Sequence, residues 1–219
     1  MKVILTGATG MVGEGVLMEC LDNPLVTEIL VVGRRSIQKT NPKLSELIVP
    51  DFLKIKDFSE KLVGYDACFF CAGISSVGMK EEDYVRVTYD TTLAFAKTLL
   101  QKNPDLVFNF VSGQSTDSSE NGRVMWARVK GKTENHLIRL GFKGEYNFRP
   151  GVMLPVEGQN NSKSLYVGIA KIMKFITPKL VLSIGDIGKA MINIVLNGYP
   201  KQVLEIKDIR TLAQSSLEK

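Results

Sequence analysis

Val3-Ile4-Leu5-Thr6-Gly7-Ala8-Thr9-Gly10-Met11-Val12-Gly13 is the stretch whose reading decides the fold. A short apolar run leads into three glycines at i, i+3 and i+6. Val16, Leu17, Cys20 and Leu21 then continue a helical stripe. This reads as a buried strand, a tight turn and a helix. Gly7 allows the turn off the strand. Gly10 lets a phosphate approach the backbone without a Cβ in the way. Gly13 lets the helix lie close to the sheet. The free N–H groups at the start of the helix, from Met11 and Val12 onward, then face an anion. A glycine triad alone is weak evidence. Its place between a strand and a helix makes it a dinucleotide-binding turn, bordered by Thr9.

The same rhythm continues outward. Continuous apolar runs at Val3–Leu5, Ile29–Val32, Leu47–Val49, Ala67–Cys71, Leu106–Val111 and Tyr146–Phe148 read as strands covered on both faces. Amphipathic stretches at Met11–Leu21, Glu82–Leu100 and Trp126–Leu140 read as helices between them. Asp22-Asn23-Pro24 and Asn103-Pro104 stop two of them. The expected fold is α/β, a doubly wound parallel sheet in a single domain over residues 1–219. Residues from about 150 onward form a short C-terminal elaboration on the substrate side. Two further helices are expected there, over Ser162–Ile176 and Ile184–Leu196.

The end of the second strand qualifies the ligand. A site that prefers NAD places a carboxylate there for the ribose hydroxyls. Here the sequence is Val32-Gly33-Arg34-Arg35-Ser36. Arginine suits a ribose 2′-phosphate, so NADP(H) is expected in preference to NAD(H). The alternative is a pair of solvated loop residues.

Composition narrows the class. The 219 residues carry 28 Lys+Arg against 23 Asp+Glu, with 44% hydrophobic residues. The charge is scattered, with neither a basic stripe nor a long like-charge run, so nucleic acid is not an expected partner. No stretch has the apolar length of a membrane span. Three cysteines form no disulfide framework. The opening residues run straight into the glycine turn, which leaves no room for a leader, and a reduced cytoplasmic protein is expected.

Thr6-Gly7-Ala8-Thr9-Gly10-x-x-Gly13 occurs with Gly33-Arg34-Arg35, Asp51-Phe52, Phe70-Cys71-Ala72-Gly73, Val85-Arg86-Val87, Val129-Lys130-Gly131 and Phe148-Arg149-Pro150-Gly151-Val152. The set resembles the short-chain dehydrogenase/reductase superfamily in its atypical or extended branch. More closely, it is similar to the Tat-interacting-protein branch and its bacterial relatives. The resemblance implies a Rossmann fold and several roles. Asp51 and Phe52 hold the adenine. Cys71, Ala72 and Gly73 line the ribose and nicotinamide side. Lys130 binds the nicotinamide ribose hydroxyls, and Pro150, Gly151 and Val152 lie along the nicotinamide.

Active reductases of this superfamily carry a tyrosine four residues before the lysine, on the same helical face. The lysine's charge lets the phenol exchange a proton with the substrate oxygen. This chain has Trp126-Ala127-Arg128-Val129-Lys130. An indole N–H donates a hydrogen bond but does not titrate in this range. Tyr89 and Tyr146 are left as residues that could approach in space. Ser112 is the first candidate for the hydroxyl that polarises the substrate oxygen, with Ser115 open. Thr88 stands where many members have an asparagine.

Other signals are weaker. Cys68 and Cys71 are three apart in a strand, so their sulfurs fall on opposite faces and no metal or disulfide joins them. His136 lies six residues beyond Lys130, about 240° away around the helix. The Ser115–Asn121 segment reads as a flexible loop able to close over substrate. Two functions follow: an oxidoreductase or epimerase-like enzyme on a small carbonyl compound, or an NADPH-binding sensor with a protein partner. The resemblance makes a homodimer possible.

Overall fold

The computed structural model describes residues 1–161, 168, 173 and 176–215. β1 (Lys2–Thr6) leads into α1 (Met11–Asp22), β2 (Glu28–Gly33) and β3 (Leu44–Ile48). A 3-10 stretch (Phe52–Leu62) precedes β4 (Ala67–Phe70). α2 (Glu81–Val85), a π-helical turn (Arg86–Asp90) and α3 (Thr91–Lys102) follow without a break. Then come β5 (Val107–Val111), α4 (Met125–Ile138), β6 (Gly144–Phe148) and β7 (Val152–Leu154). β8 (Val181–Ser183), α5 (Ile184–Asn197), β9 (Val203–Leu204) and α6 (Ile206–Gln214) complete the described chain. Most of the helix expected over Ser162–Ile176 lies outside the described residues.

The main sheet has seven strands in the order β3-β2-β1-β4-β5-β6-β9, and every pairing in it is parallel. This is the doubly wound Rossmann-like α/β architecture. Strand residues alternate between two cores. Val3, Leu5, Val31, Phe69 and Phe148 pack with Val16 and Leu17 of α1, Ile187 and Met191 of α5 and Ile209 of α6. Ile4, Leu30, Cys68, Phe70 and Phe108 pack under Phe52, Phe95, Leu99 and Leu137. Phe70 meets Phe95 edge-on at 5.5 Å between ring centres. Cys68 and Cys71 do fall on opposite faces.

Three details depart from the sequence expectations. β3 begins at Leu44, because Leu44 and Leu47 pair with Ile29 and Val32 and the strand lies at the edge of the sheet. An edge strand is half solvated, so its pattern alternates instead of running apolar. The segment after β5 is not a free flap. The Asp117 N–H donates to the Ala127 carbonyl at 3.1 Å, and Asn135 donates to the Ser118 carbonyl at 2.9 Å. Both bonds hold it on α4. β7, β8, β9 and α6 were not foreseen.

Two close approaches fix the first turn. Gly7 has φ +74°, and a Cβ there would stand 2.5 Å from the Cys71 carbonyl oxygen. A Cβ on Gly13 would stand 2.2 Å from the Gly7 carbonyl oxygen. α1 therefore rests on the turn itself. Gly13→Ala should destabilise the fold by about 2 kcal/mol or more through overpacking. The readout is the urea midpoint, and a midpoint equal to the parent's would show that α1 stands off the turn.

β6 carries a polar row on its α4 side. Arg149, just past the strand, is buried and ion-pairs with the fully buried Glu134 of α4. Its guanidinium also reaches Glu205 at 3.3 Å and the Ser118 hydroxyl at 2.6 Å. Glu145 and Asn147 are buried too, and Glu145 Oε1 and Asn147 Oδ1 have no hydrogen-bond partner among the described residues. Burial, with Glu134 nearby, pushes the Glu145 carboxyl up to about 9. It is neutral at pH 7 in the folded chain and ionised when unfolded. Between its ordinary value and about 9, the unfolded state has released a proton that the folded state keeps, so stability falls as pH rises. Glu145→Gln removes that slope. The variant should melt above the parent by about 3 °C or more at pH 8, the scale of ~1 kcal/mol. The margin should shrink toward pH 5; a margin independent of pH would mean that Glu145 is charged in the fold.

Candidate functional site

At the carboxyl ends of β1, β2 and β4 a cavity of about 400 Å³ opens. Gly7, Ala8, Thr9 and Gly10 form its floor after β1. Gly33, Arg34 and Arg35 wall it after β2, and Asp51 and Phe52 after β3. Cys71, Ala72 and Gly73 wall it after β4. The Ala72 N–H donates to the Thr6 hydroxyl oxygen at 3.1 Å, which ties the β4 loop to the end of β1. Open parallel sheets bind ligands at this edge, where strand order reverses.

The lining fits an adenine dinucleotide. Gly10 is the N-cap of α1 and no side chain caps the helix. The first-turn N–H groups of Met11, Val12 and Gly13 thus have no intrahelical acceptor and suit a phosphate. The Asp51 carboxylate accepts from Leu53 N–H at 3.0 Å and so is fixed at the start of the 3-10 stretch. Arg34 and Arg35 are exposed, and neither guanidinium has a partner among the described residues.

The remaining candidates gather elsewhere. Ser112, Trp126, Lys130, Pro150, Gly151 and Val152 do not line the cavity; they cluster past the ends of β5 and β6. The Lys130 amine donates to the Ser112 carbonyl. Burial pulls this amine down to about 8, with Glu134 one turn on acting against the fall. The Ser112 hydroxyl is buried and donates to the Phe148 carbonyl at 3.1 Å. Trp126 covers Gly113: its Cζ3 lies 4.0 Å from the place a Cβ would take there. The Gln114 N–H donates to the Pro150 carbonyl at 2.9 Å, joining the two strand ends.

Both tyrosines held open by the sequence have hydroxyls engaged with other partners. The Tyr89 hydroxyl bonds His136 Nδ1, and the Tyr146 hydroxyl accepts from Tyr199 N–H at 3.2 Å. Thr88 is buried, and its carbonyl takes the Thr92 hydroxyl. Sequence reasoning gave no role to Arg86, Val87 and Thr91, which also line the cavity. The only signal was the Val85-Arg86-Val87 block, which appeared as a mark of resemblance without a function.

The comparisons agree with this geometry. Residues 3–134 match the NAD dependent epimerase/dehydratase family. Protein HTATIP2 of Rattus norvegicus is 29% identical over 156 residues, 70% of this chain. That match covers 63% of the rat protein, less than two thirds of its length. Protein FMP52-2, mitochondrial, of Scheffersomyces stipitis is 26% identical over 224 residues, covering 96% of each chain. Other fungal relatives are likewise named mitochondrial, which overturns the expectation of a cytoplasmic location. Among solved structures, the dTDP-glucose 4,6-dehydratase DesIV of Streptomyces venezuelae, with NAD and TYD bound, superposes with a TM-score of 0.70. It is 15% identical and covers 94% of this chain and 75% of its own, a likeness of fold. Strand order, glycine turn and family match coincide: the chain belongs to the NAD dependent epimerase/dehydratase family.

Proposed function

We propose that this chain binds NADP(H) and acts as an oxidoreductase or epimerase-like enzyme on a small carbonyl compound, with Trp126 in place of the usual tyrosine. The observation that carries the coenzyme reading is the wall after β2: two guanidiniums, unpartnered among the described residues, stand where a carboxylate would favour NAD. Bound there, the coenzyme supplies or accepts a hydride. The chain's own residues bind and orient. Gly10 and the α1 first turn hold the pyrophosphate, and Asp51 and Phe52 border the adenine. Ala72 and Gly73 line the ribose side. Lys130, charged below about pH 8, takes the nicotinamide ribose hydroxyls. Pro150, Gly151 and Val152 back the nicotinamide.

Proton transfer is where the chain differs from an ordinary ketone reductase. Trp126 does not titrate. The Ser112 hydroxyl is engaged with Phe148. The proton then comes from water, which suits conjugate reduction of an enone better than reduction of a simple ketone. The engaged Ser112 also favours a second reading, an NADPH-binding redox sensor with weak or no turnover and a protein partner.

Two measurements test these readings. NADPH should bind more tightly than NADH. Arg34→Ala should weaken NADPH by about tenfold, the scale of a charge-assisted hydrogen bond, and leave NADH within about twofold. Equal affinities in the parent would sink the coenzyme assignment. NADPH oxidation across a panel of ketones and enones should show slow turnover of enones. Trp126→Tyr should raise ketone reduction by about a hundredfold, the reach of a general acid. No turnover in the parent with a gain in the variant would support the sensor.

A further inference from the structure

Arg86 is delivered to the cavity by a defect in its helix. Between α2 and α3 the chain makes a π-helical turn over Arg86–Asp90. The Arg86 carbonyl accepts the Thr91 N–H five residues on, and the Thr91 hydroxyl at 2.9 Å as well. In a regular α-helix, residues five apart point about 140° away from each other. A turn closed from i to i+5 takes one extra residue and brings them nearer to the same face. Arg86 and Thr91 both line the cavity as a result, with Val87 between them. Single π-turns inside α-helices occur frequently at functional sites.

The charge on the cavity wall is unbalanced. Arg34 and Arg35 enter from the end of β2, and Arg86 enters from the helix that follows β4. The Arg86 guanidinium is exposed and, among the described residues, forms no ion pair or hydrogen bond. Arg128 and Arg149, by contrast, hold Glu81 and Glu134. Among the described residues the wall has one carboxylate, Asp51, which accepts a backbone N–H. Three cations against one anion leave two positive charges, which matches the charge of a phosphomonoester near neutral pH.

We propose that Arg86 determines coenzyme choice, its guanidinium closing with those of Arg34 and Arg35 on the phosphate carried by the adenosine ribose. The proposal rests on the NADP(H) reading above and adds a residue from a separate element. Two walls holding one dianion discriminate more sharply than one. An unphosphorylated coenzyme leaves the cations facing each other.

The test is equilibrium titration of parent, Arg86→Ala and Arg86→Lys with NADPH, NADH, 2′,5′-ADP and 5′-ADP, at two salt concentrations. Arg86→Ala should weaken NADPH and 2′,5′-ADP by about tenfold or more and leave NADH and 5′-ADP within about twofold. Arg86→Lys should recover part of the loss. The salt dependence of 2′,5′-ADP binding should become shallower in Arg86→Ala. Equal losses on phosphorylated and unphosphorylated ligands would make Arg86 a packing residue and overturn the proposal. A parent that prefers NADPH, with Arg86→Ala unchanged, would overturn the proposal while the NADP(H) reading stands. A parent that does not distinguish NADPH from NADH would remove both.

Discussion

The contact between the Gly7 carbonyl and Gly13 is the constraint on which the rest of the structure depends. A side chain at either position would collide with backbone, so α1 comes down on the turn only because both lack one. That descent aims the uncapped start of the helix at the space above β1. It also presses the turn against the Cys71 carbonyl, which fixes the loop after β4. The cavity between the β2, β3 and β4 ends is what remains once these pieces are seated.

The candidate residues divide into two bodies with different physics. Around the cavity, the Arg34, Arg35 and Arg86 guanidiniums stand in solvent without partners among the described residues. Past β5 and β6, the Lys130, Ser112 and Arg149 side chains are already engaged. Lys130 holds a carbonyl, Ser112 holds a carbonyl, and Arg149 joins Glu134, Glu205 and Ser118. Arg149 thereby couples β6, α4, the loop after β5 and the start of α6. Replacing one partner would strand a buried charge, which costs more than the pair contributes. The cavity half thus leaves its cations free for a ligand, and the proposed chemical half holds its Lys130, Ser112 and Arg149 side chains in hydrogen bonds of its own.

The sequence revealed the parts of this arrangement that repeat with a period or occupy a fixed place after a strand. Six of the seven strands of the central sheet, β1 to β6, and α1, α3, α4 and α5 announced themselves through apolar runs and helical stripes. Gly7, Thr9, Gly10, Arg34, Arg35, Asp51, Phe52, Cys71, Ala72 and Gly73 were legible because each follows a strand end, and the structure brings all of them to one cavity. β7, β8 and β9 were too short to show a period. α6 was missed although Glu205 and Asp208 form a capping box that local spacing could have disclosed. Arg86 was invisible for a different reason. Its direction depends on a π-turn, which shifts the helical phase by one residue and leaves no mark in hydrophobic periodicity. The partner of Ser112 was invisible in the same way, because the carbonyl that takes its hydroxyl belongs to a strand 36 residues away.

The cysteines bear on how such a protein could report oxidation. Cys20 and Cys68 are fully buried on opposite sides of the sheet, and Cys71, at the cavity edge, has its thiol pushed up to about 12. All three stay protonated at neutral pH, and a protonated thiol is a poor target for peroxide or disulfide exchange. Thiol chemistry is therefore suppressed at all three positions. The protonated thiols leave the contents of the cavity, and not these cysteines, as the place where reducing power would bear on this fold.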